Sequence, residues 1–121
     1  MIDHTGVNVT DIARSKAFYR AALAPLGYVA IMEFGDAVGF GVPPKPDFWV
    51  GQSKLDVLPT HIAFRAENRW QVDAFYKAAI AAGARDNGPP GLRPHYHANY
   101  YGAFVLDPDG HNIEAVCHTP E

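Results

Sequence analysis

His4-Thr5-Gly6-Val7-Asn8-Val9 and His61-Ile62-Ala63-Phe64-Arg65-Ala66 begin two stretches that continue alike at an offset of 57 residues. Ala17-Phe18-Tyr19-Arg20-Ala21-Ala22-Leu23 lies over Ala74-Phe75-Tyr76-Lys77-Ala78-Ala79-Ile80. Of the 21 positions from 4 to 24, seven are identical: His4, Ala17, Phe18, Tyr19, Ala21, Ala22 and Ala24. An ungapped match that includes a histidine and a Phe-Tyr pair makes the chain two related halves.

Each half reads as strand, helix and further strands. In the first strand alternation puts His4, Gly6 and Asn8 on one face and Thr5, Val7 and Val9 on the other. Thr10 or Asp11 is placed to cap a helix that ends near Leu23, before Pro25 and Gly27. In the second half Asn68 with Gln71 resembles a capping box, and Val72, Phe75, Tyr76, Ala79 and Ile80 form a helical stripe ended by Gly83. Tyr28 to Phe34 and Ala37 to Val42 read as a hairpin, followed by a strand from Phe48 to Gly51. Gly88 to Asn99 reads as a loop, and Asp107-Pro108-Asp109-Gly110 as the turn of a closing hairpin. The expected fold is α+β, with two βαβββ modules in one domain over 1–121: module one about 1–52, a linker 53–58 and module two about 59–118.

Two modules related by pseudo-twofold symmetry put His4 and His61 in equivalent positions. The final strands align at an offset of 65, so that Glu114 stands where Trp49 stands in the first half. A carboxylate inside Ile113-Glu114-Ala115-Val116 needs a compensating partner if buried. A metal would supply one: His4, His61 and Glu114, two imidazoles and a carboxylate on rigid strands, suit Fe and are compatible with Mn, Zn or Ni.

These residues resemble the glyoxalase, bleomycin-resistance and extradiol-dioxygenase superfamily, the vicinal oxygen chelate proteins. The resemblance rests on His4 before a Val-rich strand, Ser15-Lys16-Ala17-Phe18-Tyr19, His61-Ile62-Ala63-Phe64, and the ending Phe104-Val105-Leu106-Asp107-Pro108-Asp109-Gly110-His111-Asn112-Ile113-Glu114. It implies a U-shaped mixed sheet around a cleft, a divalent metal ion on His4, His61 and Glu114, a small-molecule substrate and a homodimer. Glyoxalase I enzymes carry a second carboxylate where this chain has Trp49, which can neither ligate a metal nor carry a proton. The implied activity is a glyoxalase-like lyase or isomerase acting on a small oxygen-bearing molecule. The alternatives are an extradiol-type ring-cleaving dioxygenase and an antibiotic-sequestering protein without catalysis.

Arg93-Pro94-His95-Tyr96-His97-Ala98-Asn99-Tyr100-Tyr101 gathers proton-carrying groups in one polar segment. His95, His97 and Tyr101 are the candidates for acid and base chemistry, and Arg93 for holding a carboxylate or phosphate. Phe48 and Trp49 are candidates for an apolar wall of the substrate site, with core packing the alternative for both. His111 and His118 read as ordinary, one after the turn and one near the tail. Ten Lys+Arg against thirteen Asp+Glu give a net charge of −3, so no basic footprint for nucleic acid or an anionic membrane exists. The lone Cys117 and the lack of an apolar leader or spanning segment suggest a cytoplasmic protein.

Overall fold

Alternation along the first strand, β1 (Thr5–Val9), buries Val7 and Val9 against a helix and leaves Gly6 and Asn8 on the opposite face. The same rule builds both halves of the computed structural model, which describes residues 1–121. The first half continues with α1 (Ile12–Leu23), a short 3₁₀ turn (Ala24–Leu26), β2 (Val29–Phe34), β3 (Ala37–Gly41) and β4 (Phe48–Gln52). The second comprises β5 (His61–Arg65), α2 (Arg69–Ala81), β6 (Arg85–Leu92), β7 (Tyr101–Leu106) and β8 (Asn112–Cys117). Two four-stranded mixed sheets result, ordered β1-β4-β3-β2 and β5-β8-β7-β6, so the chain has the α+β, two-module architecture that the repeat implies.

The helices start and stop on local signals. Asp11 accepts the Arg14 amide at 3.1 Å and Asn68 accepts the Gln71 amide at 2.9 Å, each satisfying an otherwise unpaired donor in the first turn. The Gln71 side chain closes its cap one residue early, on the Glu67 amide rather than that of Asn68. Gly27 and Gly83 follow the helical segments with φ of 85° and 103°, a conformation costly for any residue with a Cβ. Phe18 and Ala22 of α1 are buried at positions equivalent to Phe75 and Ala79 of α2.

One hydrophobic core runs through both modules on the helix side of the sheets. Tyr19, Phe48 and Phe64 form a relay across it, with Phe48 edge-on to Tyr19 at 5.1 Å and to Phe64 at 5.0 Å. Such aromatic pairs add about 0.5–1.5 kcal/mol each beyond the area they bury.

The turn before β8 fastens this seam with polar groups. Asp107 accepts the Asp109 amide at 2.9 Å, the His111 amide at 2.8 Å and the buried hydroxyl of Tyr19. Asp109 accepts the Thr10 hydroxyl at 2.6 Å, just ahead of α1. His111, 1% exposed, accepts the Thr60 amide on Nδ1 at 3.0 Å, which puts its proton on Nε2 for donation to the Asn8 carbonyl at 2.7 Å. His111 thus ties β1 to the segment entering β5, a role its sequence position did not suggest.

The stretch expected as a loop from Gly88 to Asn99 begins instead within a strand. β6 carries Gly88-Pro89-Pro90-Gly91 along the sheet edge, where a missing N–H costs no ladder bond, and its pairing with β7 slips on both sides of Gly88. Only residues 93–100 leave the sheet, and they return across its open face.

Candidate functional site

Parallel pairing of β5 with β8 sets Ala63 beside Glu114 and His61 beside Asn112. Phe64, Ile113 and Ala115 face the core, so His61 and Glu114 share the open face. Glu114 is nonetheless only 2% exposed. Its Oε1 lies 3.2 Å from His61 Nε2, and its Oε2 accepts the hydroxyl of Tyr100. Gly102 provides the room: a Cβ there would sit 3.3 Å from Glu114 Oε2 and 3.2 Å from the Tyr100 ring.

The proton inventory of this group is informative. His61 Nδ1 lies 3.0 Å from the Asn112 carbonyl, which can only accept, so the Nδ1 proton is fixed there. In the neutral ring Nε2 therefore presents a lone pair to a carboxylate oxygen. Two acceptors facing each other call for a proton or a metal cation between them. Tyr100 meets the other oxygen with its phenol held well above the usual range, first by lost hydration and then by the hydrogen bond and charge of Glu114.

Tyr101, singled out from the sequence, points the other way. Its hydroxyl donates to Asp73 of α2 at 2.7 Å, its ring lies under Arg69, and burial with that bond raises its phenol to about 12. Strand parity explains the exchange: Ala103 and Val105 share Tyr101's face and are fully buried, whereas Tyr100 shares the face of Gly102 and Phe104. That parity was available in the sequence and identifies Tyr100 as the residue that reaches Glu114.

A cavity of about 720 Å³ opens over the pair, lined by His95, Tyr96, His97 and Phe104 among others. His95 packs its ring on Tyr96 with centroids 4.2 Å apart. His97 accepts the Asn99 amide on Nδ1 at 3.1 Å, which leaves its Nε2 proton for His118 Nδ1 at 2.8 Å. Both rings lie edge-on to Tyr100, so His118 belongs to the same cluster although its place near the tail gave no sign of it. Arg93 borders an adjoining cavity that shares His95, Tyr96, Phe104 and Asn112 with this one.

In module one the equivalent register pairs Gly6 with Trp49. Trp49 lies on the open face, stacked on Phe34 with centroids 6.0 Å apart and filling the space left by Gly39. Phe48 faces the opposite way and is core. His4 sits just before β1, its Nδ1 2.7 Å from Asp3, which also pairs with Lys45 at 2.6 Å. Within the chain no three side chains of the His, Cys, Asp and Glu types come together to hold a metal, so His61 and Glu114 meet without His4.

The comparisons with known proteins agree with this architecture. The family model described as the Glyoxalase/Bleomycin resistance protein/Dioxygenase superfamily matches residues 28–115. The structure of a glyoxalase/bleomycin resistance protein from Albidiferax ferrireducens T118 is similar at 30% identity and a TM-score of 0.84, over 96% of this chain and 97% of that one. A glyoxalase/bleomycin resistance protein/dioxygenase family enzyme from Burkholderia phytofirmans PsJN shares the fold at 20% identity and a TM-score of 0.74, over 98% of each chain. The oxidase ChaP-H1 does so at 22% identity and 0.71, over 98% of this chain and 96% of its own. No curated protein matches the chain. A family match spanning most of the sequence, on a fold built from the same two modules, establishes that this chain belongs to the glyoxalase/bleomycin resistance protein/dioxygenase superfamily.

Proposed function

We propose that the chain is a divalent-metal-dependent enzyme of this superfamily, a lyase or isomerase of the glyoxalase kind acting on a small oxygen-bearing molecule. The observation that carries this reading is the convergence of His61 Nε2 on Glu114 Oε1 at 3.2 Å, with the other imidazole nitrogen held on the Asn112 carbonyl. The donor set fits a divalent ion of Fe, Mn, Zn or Ni: one imidazole with its other nitrogen anchored on a carbonyl, and one buried carboxylate with an anchored second oxygen. Such an ion supplies Lewis-acid stabilisation of negative charge developing on a substrate oxygen. Tyr100 holds Glu114 in one orientation, and the imidazole of His95 beside the same cavity is positioned to take or return a proton. His97, bonded to His118, fixes the loop that carries them.

His4 completes the set from a second copy of the chain. In this arrangement the open face of β1-β4-β3-β2 in one copy meets the open face of β5-β8-β7-β6 in the other, and a homodimer contains two sites. Trp49, standing at the position equivalent to Glu114, then lines each cleft as an apolar wall.

The purified full chain, stripped with chelator and titrated with Mn²⁺, Zn²⁺, Ni²⁺ or anaerobic Fe²⁺, is expected to take up about one ion per chain, in line with the donor set. His61→Ala should abolish uptake. A chain that takes up no metal and instead binds an aromatic ligand between Trp49 and Phe34 is a sequestering protein, the reading favoured by that exposed stack. Oxygen consumption with catechols in the presence of Fe²⁺ would move the assignment to ring-cleaving dioxygenation.

A further inference from the structure

We infer that the substrate carries an anionic group, a carboxylate or a phosphate, which Arg93 receives at the end of the groove away from Glu114. This deepens the proposed function by naming a chemical class for its substrate, and it rests on a second set of residues.

Arg93 occupies a cradle made for a guanidinium. Beside the slipped pairing along Gly88-Pro89-Pro90-Gly91, Arg93 Nη2 donates to the Pro89 carbonyl at 2.8 Å while Nη1 donates to the Gly91 carbonyl at 2.9 Å. A side chain at either glycine would crowd that space. A Cβ on Gly88 would lie 3.2 Å from Nη2 and 3.0 Å from the Phe104 ring, and one on Gly91 would lie 3.2 Å from Nη1. The ring of Phe104 forms the floor, 5.4 Å from the guanidinium carbon. Carbonyl, ring and backbone therefore hold the group flat and fixed on the open face of the sheet.

What the cradle lacks is an anion. A guanidinium has five N–H donors and two are engaged, leaving three. No carboxylate of the chain lies within 4.0 Å of it, unlike Arg14 and Arg69, each of which has an acidic neighbour. A cation immobilised beside a cavity of about 300 Å³, with its spare donors unpaired, is a receptor for a planar or tetrahedral oxyanion. Asn112 helps from the same wall, since its carbonyl oxygen accepts from Asn87 at 3.2 Å and its amide hydrogens have no partner in the chain. Phe104 connects the two ends of the groove: Arg93 lies over it, and His61 stacks beside it at 6.5 Å between centroids. A flat molecule lying on Phe104 thus presents its anionic end to Arg93 and its neutral oxygens to the His61 and Glu114 end.

The test uses the full chain, freed of metal by chelator, with inorganic phosphate, benzoate and the neutral benzamide as calorimetric probes. Benzoate is expected to bind about tenfold or more tightly than benzamide, the scale of a charge-assisted hydrogen bond. Whichever of phosphate and benzoate binds more tightly names the oxyanion. Arg93→Gln should erase the preference over benzamide, and Arg93→Lys should keep only part of it, because an ammonium cannot span both carbonyls in one plane. Gly91→Ala, which keeps the charge but crowds Nη1, should weaken benzoate and leave benzamide unchanged. Equal binding of benzoate and benzamide overturns the inference, as does an Arg93→Gln chain that keeps native affinity for benzoate and loses only thermal stability. Benzoate binding that appears only after Mn²⁺ is added, and is indifferent to Arg93→Gln, also overturns it while supporting the metal reading. Arg93-dependent binding in a chain that takes up no metal leaves the cradle standing and removes the metal.

Discussion

His61 turns Nε2 toward Oε1 of Glu114, 3.2 Å away, and cannot turn it elsewhere without releasing the Asn112 carbonyl from Nδ1. Both residues stand on adjacent parallel strands whose other faces are core, so neither backbone can shift to relieve the contact. A pair fixed in this way is preorganised for the cation proposed above, which would bind with little rearrangement.

His4 does not join His61 and Glu114 within the chain, and the proposed sharing of a site between two copies predicts that two inactive chains complement each other. His4→Ala and His61→Ala homodimers are each expected to take up no metal. In the proposed dimer, mixing and subunit exchange are expected to give heterodimers in which one of the two sites has all three ligands. Metal uptake by the mixture, measured after gel filtration, checks this. A mixture as empty as its components would show that the two chains do not share a site.

Tyr100→Phe removes the only hydrogen bond on Glu114 Oε2 and leaves a buried carboxylate oxygen unpaired. The expected loss of stability is about 1–3 kcal/mol in chemical denaturation. Divalent-ion affinity should fall about 10- to 100-fold, as for other residues that orient a metal ligand. Tyr101→Phe, whose hydroxyl faces α2 at Asp73, should leave metal affinity unchanged.

Five of the six tyrosines bond to a carboxylate: Tyr19 to Asp107, Tyr28 to Asp47, Tyr76 to Asp86, Tyr100 to Glu114 and Tyr101 to Asp73. Burial and these bonds raise all five phenols above 10.0. A raised folded value means that the stabilisation is complete below the unfolded value near 10 and disappears as pH climbs from there through the folded values. Stability should therefore fall steadily above about pH 10, with most phenolate absorbance appearing together with unfolding. Early phenolate formation in a chain still folded by circular dichroism would contradict this.

His111 carries a structural load that can be measured separately from function. His111→Ala deletes two inter-segment hydrogen bonds and opens a cavity in a site 1% exposed. The expected cost is about 2–4 kcal/mol in urea denaturation, from unpaired backbone groups and lost packing. His118→Ala, at an exposed ring, should cost under about 1 kcal/mol.

The repeat, the helix caps, the apolar stripe of the second helix and the alternation of the strands are all legible along the chain, and they determined the two-module fold from the sequence alone. Local pattern also placed Glu114 on the face opposite Ile113, Ala115 and Cys117, because the period of a strand is fixed by its backbone. Strand parity contained the choice of Tyr100 over Tyr101, although a cluster of polar residues drew attention to the segment as a whole. What local pattern does not contain is the distance between elements. That His61 and Glu114 face each other while His4 stands apart depends on which strands pair and which modules touch. The clamp of His111 on Asn8 joins residues 103 apart in sequence, and the cradle of Arg93 depends on a slip in register between β6 and β7. Hydrogen bonds and charges act over a few ångströms in space, whereas periodicity reports only neighbours along the chain. The site's chemistry was therefore decided by tertiary structure.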